Sequence, residues 1–127
     1  MAYLNMDDNY PDNPKVSPLS NAAYRLHGSA MFYAAKWLLD GYLTPSQMRD
    51  RKGYSPAALR ELIAAELVHD RGEGCGTKNC PHGADGTYLL HDYWQWNKPK
   101  SWWEEKRIKD AERIAKWRAQ NGVGTSE

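Results

Sequence analysis

From residue 19 to 38, apolar side chains recur at three- and four-residue steps: Leu19, Ala22, Ala23, Leu26, Ala30, Tyr33, Trp37 and Leu38. That period lays one apolar face along a helix. It predicts a first helix starting near Ser17, with Pro18 in its first turn, and ending at Asp40-Gly41. Thr44-Pro45-Ser46-Gln47 combines a capping residue, a proline at the first helical position and a glutamine three residues on, which predicts a short second helix to about Arg51. Lys52-Gly53 closes it. Ser55-Pro56 repeats the device, and Leu59, Leu62, Ile63 and Leu67 give a third apolar face. Three helices in succession, the last two short and joined by a tight turn, predict a helix-turn-helix core.

Beyond Leu67 the period changes. Gly72-Glu73-Gly74-Cys75-Gly76 is turn material, and Thr87 to Tyr93 is aromatic and aliphatic enough for a strand. Two strands and a long loop after a helix-turn-helix make a β-wing. The predicted class is α+β, mainly α: a winged helix-turn-helix over residues 17–97. Residues 1–16, with Pro11 and Pro14, predict an extended arm anchored through Tyr3, Leu4 and Tyr10. Ser101 followed by Glu104 predicts the capping box of an extra C-terminal helix over 98–121, whose thin apolar stripe is Trp103, Ile108, Ala111 and Ala115. Residues 122–127 read as a disordered tail.

Composition adds two features. Six Trp and eight Tyr stand against one Phe, so most rings have polar tips suited to half-wet surfaces. The net charge of +1 hides an uneven spread: residues 54–94 hold 3 basic and 6 acidic side chains, and residues 95–127 hold 8 and 5. That excludes a strongly basic or strongly acidic protein yet leaves a local cationic segment. No run of 18 apolar residues and no basic-then-apolar start occur, which points to a cytoplasmic protein without a membrane span.

The order of Asn13–Val16, Leu19–His27, Asp40–Leu43, Leu67–His69 and His91–Asn97 resembles small winged-helix proteins of actinobacterial phages. It is similar to the N-terminal domain of phage replication-initiation proteins, the replisome organisers. The resemblance implies DNA binding in replication or transcription control, in the cytoplasm of a bacterial host. It supplies no catalytic site. Such initiators usually continue into a second domain, so these 127 residues imply a stand-alone DNA-binding or regulatory protein.

Cys75-Gly-Thr-Lys-Asn-Cys80-Pro-His82 places three donors in eight residues, with His69 six residues earlier. Zinc takes four such donors in a tetrahedron, and the glycines around them let the loop fold back. The expected ligands of a structural zinc are His69, Cys75, Cys80 and His82, with His91 able to replace His69. The alternative is two free thiols in a loop.

For nucleic acid, the third helix offers Arg60 as the one base reader, beside Glu61, Glu66 and several alanines, a poor set for a groove. Arg49, Arg51 and Lys52 at the turn and Lys78 in the wing are candidate phosphate contacts. In the tail, Lys98, Lys100, Arg107, Arg113, Lys116 and Arg118 interleave with Trp102, Trp103 and Trp117. That mixture suits nucleic acid, a protein partner or a homodimer, or a helix docked on its own body. The acidic third helix favours the alternative function, a protein-interaction module on the same scaffold. No nucleophile–base constellation or phosphate loop is present, so no enzyme is expected. His91-Asp92, on one strand, would point to opposite faces.

Overall fold

A computed structural model describes residues 4–81 and 86–121, without the Trp96 side chain. Tyr3, His82 and residues 122–127 lie outside the described set. The chain divides into two compact units, residues 1–97 and 98–127.

The first unit is mainly helical with a small antiparallel sheet. Its elements are a 3-10 turn at Tyr10–Asp12, α1 (Asn21–Lys36), β1 (Tyr42–Leu43), α2 (Pro45–Arg49), α3 (Pro56–Ala64), β2 (Val68–His69), β3 (Tyr88–Leu90) and α4 (Tyr93–Trp96). The strand order is β1-β3-β2. β3 sits in the centre, pairing Tyr42 with Leu89, Leu43 with Tyr88, Val68 with Leu90 and His69 with Leu89.

Helix starts follow their caps. Thr44 forms the full capping box with Gln47, and the Ser55 side chain accepts from Ala58 N. α1 begins at Asn21, later than the Ser17 expected, because Asn13 to Leu19 close their own turns and Ser20 is the cap. It ends at Lys36, where Leu38 and Asp40 take positive φ, so Trp37 falls outside the helix and is 58% exposed. β1, only two residues long, is too short for an alternation to announce it. The strand expected over 87–93 stops at Leu90. Asp92 adopts φ 51 and turns the chain into α4.

The core lies between α1, α3 and one sheet face: Leu26, Leu43, Met48, Leu62, Val68 and Leu90 are all but fully buried. Glu61 of α3 is tied to the N-terminal cap of α1: its two carboxylate oxygens accept from Ser20 N at 2.7 Å and Ser20 Oγ at 2.8 Å. The α2–α3 turn lies directly on α1. Gly53, at φ 81, approaches so closely that a Cβ would stand 2.7 Å from the Ala22 carbonyl oxygen. Its neighbour Lys52 donates its backbone N–H to Ser29 Oγ at 3.0 Å.

The N-terminal arm is stitched down by polar groups. Asn97 and the Asn5 backbone exchange two hydrogen bonds, of 2.8 and 3.2 Å. Tyr10 stacks on His27 and hydrogen-bonds its Nδ1. Burial holds the His27 pKa down, from 6.5 to about 4, so the ring is neutral in the fold. Between these two values the unfolded chain binds the proton and the folded chain does not, so stability is fully present above pH 6.5 and falls as the pH drops toward 4. The loss from this group is at most about 3 kcal/mol. Chemical denaturation across pH 4–7 checks it: His27→Gln should lower stability at neutral pH and flatten this part of the slope.

Candidate metal centre

Strand alternation builds one half of the site. Val68 and Leu90 face the core, so their neighbours His69 and Leu89 face the opposite side of the sheet, and His91 follows two residues after Leu89. The His91 N–H donates to the Leu67 carbonyl at 2.9 Å, which carries the strand pairing one step further. The loop after β2 supplies the other half. Gly72 N donates to Thr87 O, which closes the neck of the loop, and Thr77 and Cys80 pair in a tight turn. That turn places Cys75 and Cys80 against the two imidazoles. Cys80 is completely buried, whereas Cys75 is exposed.

The four donor atoms of His69, Cys75, Cys80 and His91 all lie within 4.8 Å of one another. Cys75 Sγ is 3.4 Å from both His69 Nε2 and His91 Nδ1, and Cys80 Sγ is 3.6 Å from His91 Nδ1. The two ring nitrogens are 2.9 Å apart. Ordinary metal–nitrogen and metal–sulfur bonds at tetrahedral angles put nitrogen and sulfur about 3.6 Å apart and two nitrogens about 3.3 Å apart. The cluster is therefore compatible with a metal site closed by four protein donors. Outside it, Asp92 Oδ2 lies 3.2 Å from His91 Nε2. A carboxylate there fixes which imidazole nitrogen is free to ligate. The strand-face argument that kept His91 and Asp92 apart fails because the strand has already ended.

Electrostatics within the cluster are divided. Burial, then the His91 ring, push His69 below its ordinary range, which favours the neutral ligand form. Desolvation, then the Cys80 thiol, push the Cys75 thiol up, which opposes the thiolate. A cation at the centre reverses the second effect.

His69, Cys75 and Cys80 are thus brought together as expected, with His91 beside them, and His82 lies outside the described residues. A sequence signal for His91 exists: Leu67-Val68-His69 and Leu89-Leu90-His91 are the same apolar-apolar-His tripeptide on paired strands.

The cations named for nucleic acid are scattered by comparison. Arg49 and Lys52 are exposed at the α2–α3 turn, Arg60 is exposed on α3, and Lys78 is exposed in the Thr77–Cys80 turn. Arg51 is half-buried and tied, with Nε on the Gln47 carbonyl at 2.9 Å and its guanidinium 3.5 Å over the Tyr33 ring. Among the described residues of the second unit there is one helix, α5 (Lys100–Asn121), without a buried residue. It starts one residue before Ser101; the Pro99 carbonyl accepts from Trp102 N. Lys98 lies over the Trp102 ring, Lys100 faces Glu104 and Arg113 faces Asp110, while Arg107, Lys116 and Arg118 are exposed. Trp102 and Trp103 meet edge to face, and Trp117 is 54% exposed.

Comparison with family models, curated proteins and solved structures finds no match for this chain.

Titration with Co²⁺, followed by thiolate-to-metal absorption, tests the donor set. Cys80→Ala and His91→Ala should each abolish tight binding, and Asp92→Asn should weaken it about 10–100-fold. His82→Ala should leave it unchanged, since four other donors complete the set.

Proposed function

We propose that this chain is a phage-type winged-helix DNA-binding protein, acting in replication or transcription control, whose wing is clamped by a structural zinc ion. The single observation that carries the metal reading is the convergence of two imidazoles and two thiols whose donor atoms all lie within 4.8 Å of one another. Two nitrogens and two sulfurs suit zinc, and four protein donors leave no open position for substrate or water. The ion's contribution is folding free energy, and no catalytic role is assigned. His69 and His91 hold it from the sheet, Cys75 and Cys80 from the loop, and Asp92 orients His91.

The winged-helix reading is supported by the order α1-β1-α2-α3-β2-β3 with β3 central. DNA binding is supported by the outer face of α3. Glu61 is engaged with Ser20 on α1, and Glu66 lies beyond the helix end, facing Lys15 at 3.8 Å. Beyond its first residue, Pro56, what α3 leaves exposed is the stripe Ala57, Arg60 and Ala64, two small residues flanking one guanidinium. Small flanks let a helix approach base edges closely, and Arg is the commonest reader of guanine. The wing would present Lys78 to phosphate. A second reading, a protein-interaction module or homodimer, is favoured by α5 alone, with Trp102, Ile108, Ile114 and Trp117 all exposed.

Native mass spectrometry and duplex binding over a salt series test the proposal together. The expected result is one zinc per chain, affinity that falls steeply with salt, and an Arg60→Ala variant that loses discrimination between sequences. Equal loss on every duplex would remove α3 as a reader. Salt-independent association of two chains would favour the second reading.

A further inference from the structure

Beside the α2–α3 turn, whose Arg51 and Lys52 are already candidate phosphate contacts, lies a face of α1 that neither reading uses. On α1, Arg25, Ser29, Phe32 and Lys36 follow one another at three- and four-residue steps and share one face. The α2–α3 turn lies along the same helix. The Gly53 backbone abuts the Arg25 Cβ, Lys52 N bonds Ser29, and the Arg51 guanidinium stacks on Tyr33. At the C-terminal end, Trp37 lies beside Tyr33, with ring centroids 6.4 Å apart, and Lys36 Nζ stands 5.4 Å from the Trp37 ring.

Phe32 is 63% exposed and Trp37 is 58% exposed, the two highest values among the exposed large apolar side chains described. Large rings left in water at this level are free to stack on a ligand. The charge around them says which kind. Arg25, Lys36, Arg51 and Lys52 are cationic, and Asp50 in the same turn is the one acid among residues 41–60. Arg51 is also preorganised: its Nε is committed to the Gln47 carbonyl and its plane to Tyr33, which leaves the outer edge of the guanidinium for an anion.

We propose that this face of α1, with the α2–α3 turn, binds single-stranded nucleic acid. Phe32 and Trp37 are the stacking platforms, and Arg25, Lys36, Arg51 and Lys52 hold the phosphates. A duplex cannot use the rings, because its bases are already stacked. A single strand offers unstacked bases to rings and phosphates to cations together. From Arg25 to Lys36 the face runs about 16 Å, enough for a short run of nucleotides. The inference stands apart from the duplex surface on α3 and from the metal centre.

The probe is a fluorescein-labelled oligo-dT of about twelve nucleotides, titrated with the zinc-loaded full chain at low salt and read by anisotropy. Wild type should bind, with a log–log salt slope of about −2 to −3 for three or four phosphate contacts on a single strand. Phe32→Ala/Trp37→Ala should weaken oligo-dT binding at least tenfold and leave duplex binding within about twofold. Lys36→Glu, at an exposed position, should weaken it at least fivefold, and it decides the matter alone should the double variant fail to fold. Wild type that does not bind oligo-dT at about 100 µM protein would overturn the proposal and leave the patch to a protein partner. So would variants that bind it as tightly as wild type, which would place the strand elsewhere, for instance on α5.

Discussion

The loop between β2 and β3 has almost nothing apolar to hold it. Of residues 70–81, only Cys80 is buried, so the hydrophobic effect that fixes α1, α3 and the sheet does not reach the loop. Ordering these residues costs at least about 1 kcal/mol each, on the order of 12 kcal/mol in all. A structural zinc site supplies about 10–16 kcal/mol. On the proposed reading, the convergence of His69, Cys75, Cys80 and His91 is therefore the interaction on which this loop depends. It is also the point where the secondary structure and the candidate function meet, because one imidazole comes from β2 and the other from the residue that follows β3.

Much of this was legible in the residues. Thr44, Ser55 and their prolines mark helix starts by a local mechanism, a side chain accepting from a backbone N–H three residues on, and such signals survive folding unchanged. Leu26, Leu59 and Leu62 face the core as their spacing requires. What was not legible depended on distant partners or on backbone conformation. β1 exists because the centre of the sheet needs a second neighbour, and two residues carry no period. The strand stops at Leu90 because Asp92 takes a left-handed conformation, and that break is what brings its carboxylate to His91.

The clearest lesson concerns Glu61. Read along the helix it is an acid that spoils a groove-facing surface. In the fold it accepts two hydrogen bonds from Ser20, 41 residues away in the chain, and closes the α1–α3 contact. Counting charge on a helix overstates repulsion when one of the acids is turned inward to another helix. The exposed aromatic residues make the reverse point. Phe32 continues the helical stripe of Arg25 and Ser29, and only the fold shows that the α2–α3 turn, with Arg51 and Lys52, lies against that helix.

The most direct measurement is X-ray absorption at the zinc edge on the purified protein. The account predicts a four-coordinate ion with two sulfur neighbours near 2.3 Å and two imidazole nitrogens near 2.0 Å. Zinc bound with oxygen neighbours in place of either imidazole, or no bound zinc at all, would contradict it.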